Sequence, residues 1–244
     1  MKSTKRFLLK LFNKLDPLLQ GKIRCKYYNF QQTISFKKKP GKFSIVPSGD
    51  KSYLLRVGKE KIHLAIPNRV GFYREGIQNR LSDLKASFYS DKDIADGSVV
   101  IDIGSNIGEY AISFNKDVIV HAFEMDPNVM PSLISNCKDN ENIHIHNNGL
   151  WKEHKIMEMF VKSDSADTSL IDNGASEKHS IECFKLDDIE SIKKIDEITI
   201  LKCDAEGAEP EVLDGAIETL KKTKIVAIDC GPERGIEGER TDIS

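Results

Sequence analysis

Long apolar runs are missing from this sequence of 244 residues. No stretch approaches the roughly 18 apolar residues that a membrane-spanning helix requires, which argues against an integral membrane protein. Charged residues interrupt the apolar ones throughout residues 1–20, so this segment does not resemble a secretory signal. The five cysteines form no C-x-x-C pair, which argues against a disulfide framework and a thiolate zinc site. We therefore expect a globular protein of the reducing cytoplasm.

Two patterns that bind metals or nucleotides are also missing. The six histidines show no H-x-x-x-H spacing, so we expect no metal site. There is no G-x-x-x-x-G-K-[ST] loop, which excludes a P-loop nucleoside triphosphatase. We expect no nucleic-acid partner either.

Charge is unevenly distributed along the chain, although the net charge is only −2. Residues 1–60 contain 15 Lys and Arg against 3 Asp and Glu, whereas residues 61–244 contain 21 against 35. This basic segment predicts an arm that meets phosphate, an anionic surface or the acidic body itself, with a solvated basic face as the alternative. Within it, residues 5–20 place apolar residues at helical spacing with lysines between them. This basic amphipathic helix is expected to rest on a membrane surface, or to dock on its own domain or a partner subunit.

The next part of the chain changes character. Residues 43–46, 53–57 and 62–66 are short β-like runs separated by turn sequences, which predicts a small antiparallel appendage. Residues 75–89 read as a helix that leads into the main domain. We therefore divide the chain into an N-terminal region, residues 1–70, and a second domain, residues 71–244.

Beyond residue 98 the pattern alternates between strand and helix. Apolar runs predict strands at 99–103, 118–123, 143–146, 198–203 and 225–230, and helices are predicted at 107–115, 128–138 and 208–221. Such alternation is typical of a parallel sheet covered by helices on both faces, so the fold class is α/β, Rossmann-like and doubly wound. A further strand at 155–161 is expected to pair antiparallel beside the third strand.

The first strand of this domain runs into a turn that contains glycines at Gly104 and Gly108. Glycines let the backbone turn sharply and approach a ligand, and Asp102 at the strand end offers a carboxylate to a cationic amino group. The dinucleotide fingerprint G-x-G-x-x-G fails here, because Asn106 and Glu109 occupy its second and third glycine positions. The turn therefore favours S-adenosylmethionine over NAD, with a purely structural turn as the alternative.

Acidic residues follow two other strands. Glu124 ends the second strand, where a carboxylate can accept hydrogen bonds from ribose hydroxyls. After the strand at 198–203, Asp204, Glu206 and Glu209 crowd around a glycine, and Lys202 is expected to pair with one of them. One interpretation is that Asp204 or Glu206 orients a substrate hydroxyl or accepts its proton. The other is that these acids form a structural charge network that caps the following helix.

Three segments together resemble the FkbM family of methyltransferases. They are Asp102-Ile-Gly-Ser-Asn-Ile-Gly108, Ala122-Phe-Glu-Met-Asp-Pro127 and Leu201-Lys-Cys-Asp-Ala-Glu-Gly-Ala-Glu-Pro-Glu-Val-Leu-Asp-Gly-Ala216, and Asn147-Asn-Gly-Leu150 is similar to the family's segment after the third strand. The resemblance covers about residues 75–232. It implies the class I methyltransferase fold, S-adenosylmethionine as cofactor, and O-methylation of a hydroxyl on a saccharide or natural-product-like acceptor. It also implies cofactor contacts for Asp102, Gly104, Asn106, Gly108, Glu124 and Asn147, and a place beside the transferred methyl for Asp204 and Glu206.

The sequence departs from the family's pattern after the fifth strand, where a helix and an antiparallel strand pair normally follow. We expect the last antiparallel strands to be missing, and the fifth strand to be either an unpaired edge or covered by another subunit. This leaves two alternatives to an active methyltransferase: a catalytically inactive binding protein and, disfavoured by the turn sequence, an NAD-dependent oxidoreductase.

Overall fold

A computed structural model of the chain describes residues 11–34, 40–89, 94–162, 168–232 and 234–241. In the N-terminal part, helix α1 (Pro17–Ile34) precedes strands β1 (Phe43–Pro47), β2 (Tyr53–Val57) and β3 (Glu60–Leu64). The three strands form an antiparallel sheet in the order β1-β2-β3, which confirms the predicted β appendage. A 3-10 helix (Pro67–Tyr73) and helix α2 (Ile77–Phe88) then lead to the second part of the chain.

Residues 5–10 of the helix predicted at 5–20 lie outside the described part of the chain, so only its second half is tested. Residues 11 and 12 are helical, a turn at residues 13 and 14 interrupts the predicted helix, and α1 begins at Pro17. Asp16 sets this start, since its carboxylate Oδ1 accepts a hydrogen bond from the Leu19 backbone N–H at 3.0 Å. Proline suits the first turn of a helix because its missing N–H has no intrahelical partner there.

The second part is built on a five-stranded parallel sheet, as predicted. Its strands are β4 (Val99–Ile103), β5 (Ile119–Phe123), β6 (Ile143–His146), β10 (Ile198–Cys203) and β11 (Thr223–Ile228), in the order β11-β10-β4-β5-β6. Every neighbouring pair runs parallel. All residues of β10 are buried, because this strand has neighbours on both edges and side chains packed on both faces. Among the described strands, β11 pairs only with β10.

A separate three-stranded sheet lies between β6 and β10 in the chain. It consists of β7 (Gly149–Leu150), β8 (Lys155–Val161) and β9 (Glu177–Phe184), in the order β7-β9-β8. The expectation that 155–161 pairs beside the third parallel strand is therefore wrong, since β8 pairs antiparallel with β9. The sequence of β9 is mostly polar and carries little apolar signal, so its strand was not predicted.

The helices differ from the prediction at two places. In the range 107–115 only a short 3-10 turn forms, Ala111–Ser113, because Asn106 and Gly108 take left-handed backbone angles (φ of 49° and 83°) that a right-handed helix cannot contain. The helix predicted at 208–221 is split into α5 (Glu209–Asp214) and α6 (Ile217–Lys221). At the break, Gly215 lies so close to the backbone carbonyl of Trp151 that a Cβ would come within 2.2 Å of its oxygen.

The remaining helices are α3 (Met130–Cys137) and the single turn α4 (Glu190–Lys193). Helix α3 joins the two parts of the chain, because the Asn136 side chain donates to the carbonyl oxygens of His63 and Ile107 and accepts from the His63 N–H. One buried core cluster likewise runs from the β appendage to Ile107 and Val129. No helix in the described ranges is both long enough and apolar enough to cross a bilayer.

Candidate functional site

A cleft opens at the carboxyl ends of β4, β5 and β10, which is where ligands bind in open α/β sheets. It encloses about 660 Å³ of empty space, including its open mouth. The lining residues are Ile103, Gly104, Asn106, Phe123, Glu124, Met125, Asn148, Leu150, Thr168, Leu170, Asp204, Ala205, Glu206, Ala208 and Val212, and we call this set the acidic cleft.

The predicted cofactor contact Asp102 does not line the acidic cleft. Its side chain is fully buried, and its Oδ1 lies 3.1 Å from Nζ of Lys202, which is itself 3% exposed. The lysine ammonium also donates to the carbonyl oxygens of Ile103 and Gly104, at 3.1 and 2.8 Å. Asp102 is thus one half of a buried ion pair that ties β4 to β10, because the two residues stand opposite each other in the parallel register.

Burial alone would lower the pKa of the Lys202 ammonium, since desolvation disfavours the charged form. The carboxylates of Asp102 and Asp204 outweigh this effect and hold the pKa above its ordinary value. Lys202 therefore stays charged and acts as a fixed cation behind the cleft. The expected partnership of this lysine with an acid is confirmed for Asp204, at 3.7 Å, but its nearer partner, Asp102, was not predicted.

Gly104 and Gly108 serve different purposes in the turn. Gly104 has a φ of 72°, and a Cβ on it would come within 1.9 Å of the carbonyl oxygen of Asp204, so only glycine allows these two strand ends to meet. Gly108 faces away from the acidic cleft, toward Leu133 and Cys137 of α3, where a Cβ would lie 2.8 and 3.0 Å from their side chains. The structure thus places Gly104 at the cleft and Gly108 in the packing of the turn against α3.

Glu124 reaches the acidic cleft from the end of β5 and is held by the backbone. Its Oε2 accepts from the Asn106 N–H at 2.8 Å, and its Oε1 accepts from the N–H groups of Met125 and Asp126 at 2.9 and 2.8 Å. A carboxylate has about four acceptor positions, so one position on Oε2 is left for a ligand. Burial raises the pKa of Glu124 to about 7, and the nearby Asp126 carboxylate adds to it, although the three backbone donors favour the ionised form.

The predicted cofactor contact Asn147 is adjacent in sequence to a residue that lines the cleft. Its side chain is exposed and does not line the acidic cleft, whereas that of Asn148 does. The next residue, Gly149, packs against Cys183 of β9, where a Cβ would come within 2.5 Å of the sulfur. This contact fixes the path of the segment and turns Asn148, not Asn147, toward the cleft.

Asp204 and Glu206 both line the acidic cleft, so the structure brings the two predicted catalytic residues together there. Burial raises the pKa of Asp204, the charge of Lys202 opposes this shift, and Asp229 and Asp102 reinforce it. Glu206 holds a left-handed backbone angle, with a φ of 51°, and its carbonyl oxygen accepts a hydrogen bond of 2.6 Å from the Ser169 hydroxyl. Such a backbone angle is uncommon outside glycine and is retained where the surroundings enforce it.

Glu209 and Arg234 enforce the shape of this turn. Glu209 is completely buried, and its Oε1 accepts from the N–H groups of Ala205 and Gly207 at 2.7 and 3.2 Å. Arg234 donates to the Gly207 carbonyl at 2.7 Å and forms a bidentate pair with Glu211 at 2.9 and 2.5 Å. The alternative interpretation, a structural charge network, therefore describes Glu209, whereas Asp204 and Glu206 face the cleft. The role of Arg234 was not predicted, because nothing local in its sequence indicates that the chain folds back over the turn.

The charge of the acidic cleft is of one sign. Its lining contains the three carboxylates of Glu124, Asp204 and Glu206, and none of the described residues that line it is a lysine, arginine or histidine. Part of the lining is apolar and includes Met125, Leu150 and Leu170. The other polar groups are neutral: the amides of Asn106 and Asn148 and the Thr168 hydroxyl, which donates to the Asp126 carboxylate at 2.6 Å. Such a cleft suits a ligand with a flat apolar part and a positive charge.

Histidines gather at the edge of the sheet, apart from this cleft. His121 and His146 share a hydrogen bond of 3.0 Å, and His144 lies beside His121 at a ring-centroid distance of 5.0 Å. Burial lowers the pKa of His121 and of His146 to about 4. In the described part of the chain, no group of three or more His, Cys, Asp or Glu side chains is arranged to hold a metal ion.

Comparison with known proteins places the cleft within one family. The sequence model of the family described as Methyltransferase FkbM domain matches residues 102–240. The match begins at the end of β4 and includes Glu124, Asp204 and Glu206, the three acids of the cleft. No curated protein matches the chain.

Proposed function

This chain belongs to the FkbM methyltransferase family, and on that premise we propose that it is an S-adenosylmethionine-dependent O-methyltransferase. We propose as its acceptor a hydroxyl group of a saccharide or a natural-product-like metabolite. The observation that carries the proposal is the acidic character of the cleft, which presents the carboxyl groups of Glu124, Asp204 and Glu206 and no basic side chain among its described lining residues.

The charge of the cleft separates two cofactor classes. S-adenosylmethionine carries a sulfonium and an ammonium against one carboxylate, so an acidic lining attracts it. NAD carries a pyrophosphate, which proteins hold at helix N-termini or with basic side chains. Glu109 follows the turn where such a helix would begin, and its carboxylate is bound to Arg80 at 2.9 Å. The NAD-dependent alternative is therefore disfavoured by charge.

The residues present fit the parts of this cofactor. Glu124 would accept a hydrogen bond from a ribose hydroxyl through the acceptor position left on Oε2. The apolar lining residues, among them Met125, Leu150 and Leu170, would cover the purine, and the amides of Asn106 and Asn148 can bind its polar groups. Asp102 is not assigned a contact, because its carboxylate is fully buried against Lys202.

The cofactor supplies a methyl group already activated for displacement, so the protein contributes mainly proximity and orientation. A hydroxyl acceptor must also lose its proton. Asp204 is the better placed general base, because its raised pKa makes it a stronger proton acceptor, and the charge of Lys202 limits that rise. Glu206, fixed in its left-handed turn, would orient the acceptor hydroxyl beside it.

Calorimetric titration tests the donor assignment. We expect S-adenosylhomocysteine to bind in the micromolar range and NAD not to bind at comparable concentrations. At pH 8, above the Glu124 pKa of about 7, Glu124→Gln should weaken binding at least about tenfold, since it removes a charge-assisted hydrogen bond. Glu153→Gln is the matched control, because the Glu153 side chain is 59% exposed and lies outside the cleft.

Because Glu124 also holds three backbone N–H groups, its replacement could disturb the turn itself. Analogues of S-adenosylhomocysteine that lack one ribose hydroxyl avoid this difficulty, since the protein stays unchanged. At least one of them should bind the wild-type chain about tenfold more weakly and bind Glu124→Gln with little further loss. Equal binding of NAD and S-adenosylhomocysteine, or no binding of either by a folded chain, would contradict the proposal.

A further inference from the structure

The outward face of helix α1 carries a row of apolar side chains. Leu19, Ile23, Tyr27, Phe30 and Ile34 are between 38% and 66% exposed, and we call them the apolar stripe. Isolated exposed apolar residues are ordinary, but a row along one face of a helix marks an interaction surface.

The opposite face of α1 is fixed to the protein, so the stripe cannot turn inward. Gly21 approaches the carbonyl oxygen of Pro67 so closely that a Cβ would lie 2.4 Å from it, and Cys25 is 4% exposed. Asn29 closes the contact by bonding both backbone groups of Phe43: its side-chain amide donates to the carbonyl at 2.9 Å and its oxygen accepts from the N–H at 2.7 Å. The helix is therefore docked through one face and displays the other.

The stripe is a narrow band along the outward face of the helix. At 3.6 residues per turn, its five members fall within an arc of about 80°. Ile23, Tyr27, Phe30 and Ile34 also follow the alternating four- and three-residue spacing of a coiled-coil seam, so spacing alone does not select the partner surface. Lys26 lies at one edge of the stripe, from which its ammonium can extend to lipid headgroups.

The charge around the stripe selects the kind of surface. Lys22 and Lys26 are exposed and flank one side of the stripe, and α1 contains no aspartate or glutamate. Helices that lie in a membrane interface combine an apolar face with flanking basic residues in this way, and anionic lipids attract them. We propose that α1 is a docking helix that binds the protein to an anionic lipid surface, with the apolar stripe inserted at the level of the headgroups.

Vesicle co-sedimentation of the full chain tests this proposal without reference to the cofactor. We expect binding to vesicles of phosphatidylcholine and phosphatidylglycerol in about equal parts, and at least tenfold weaker binding to pure phosphatidylcholine. The double variant Ile23→Ser/Phe30→Ser should lose binding to both. The affinity of Lys22→Glu/Lys26→Glu for the anionic vesicles should be about twentyfold or more lower, because each lysine removed from the surface weakens binding roughly fivefold.

Ile156→Ser is the matched control, because Ile156 is 75% exposed on β8 and lies outside the stripe. It should bind vesicles like the wild type. Circular dichroism and S-adenosylhomocysteine titration of each variant separate loss of lipid binding from loss of folding or of the donor site. The proposal is overturned if the wild type ignores anionic vesicles, if the serine variant binds them unchanged, or if sedimentation velocity shows that the stripe instead joins two copies of the chain.

Discussion

Replacing Lys202 by methionine tests the buried ion pair that connects β4 to β10. The change removes the ammonium that lies 3.1 Å from Asp102 Oδ1 and that donates to two carbonyl oxygens. Removing one partner of a buried ion pair costs about 3–5 kcal/mol, because the other charge is left without compensation. We therefore expect Lys202→Met to lower the free energy of unfolding by about 4 kcal/mol, a large part of the roughly 5–15 kcal/mol of a typical domain.

The assay is urea unfolding followed by far-ultraviolet circular dichroism at neutral pH. Lys224→Met is the matched control, since its ion pair with Glu197, although short at 2.6 Å, joins side chains that are 56% and 64% exposed. An exposed pair contributes about 0–1 kcal/mol, so this control should unfold almost like the wild type.

A double variant measures the pair itself. Lys202→Met combined with Asp102→Asn leaves no uncompensated charge, so its cost should be smaller than the sum of the two single changes by about 2 kcal/mol or more. The reasoning fails if Lys202→Met unfolds like the Lys224→Met control, or if the two single costs simply add.

Three further predictions concern the cleft, the turn and the histidines. Asp204→Asn should lower the rate of methyl transfer to a responsive acceptor by about 100-fold or more, with less effect on S-adenosylhomocysteine affinity. Glu206→Gln should change the rate in the same direction. Full rates in both variants would exclude the roles assigned to these residues. Gly104→Ala should lower the free energy of unfolding in urea by about 3 kcal/mol or more. The control Gly97→Ala should lower it by only about 1–2 kcal/mol, because Gly97 has a similar φ of 81° but a Cβ there would meet nothing within 4 Å. Equal losses would show that the contact with the Asp204 carbonyl does not matter. His121 and His146 have folded pKa values of about 4 against 6.5 in the unfolded chain, so their stability contribution is complete at neutral pH and is lost as the pH falls from 6.5 towards 4. By linkage, the free energy of unfolding should fall by up to about 2 kcal/mol per histidine between pH 7 and 5, so His146→Gln should lose less stability than the wild type over this interval. Glu124 has the opposite pH dependence, but it is present in both proteins and cancels in the comparison. Identical pH profiles of unfolding free energy in the two proteins would contradict the prediction.

The parallel sheet could be predicted because its strands are continuous apolar runs, as in β4 and β10. Strand β9 could not, because its residues are mostly polar and only its pairing with β8 on one edge and β7 on the other makes it a strand. The helix predicted after Gly104 failed for a local reason, since left-handed angles at Asn106 and Gly108 are incompatible with helix but leave no periodic signal in the sequence.

The candidate site was predictable as far as its strand ends. Glu124, Asp204 and Glu206 follow strands directly, so their convergence on one edge of the sheet follows from parallel topology. What pattern alone could not show is which way each side chain points. The acid at the end of β4, Asp102, pairs with a lysine on the neighbouring strand, and this depends on the register between residues 100 positions apart in the sequence. The same holds for Arg234, which reaches Glu211 from beyond the last strand.

The crystal structure of the chain grown with S-adenosylhomocysteine tests the central claim, a donor site in the acidic cleft, most directly. We predict ligand density in the cleft, with a ribose hydroxyl on Glu124 Oε2, the purine against Met125 and the sulfur on the side of Asp204 and Glu206. Density at another place on the protein, or an empty cleft at saturating ligand, would contradict the account.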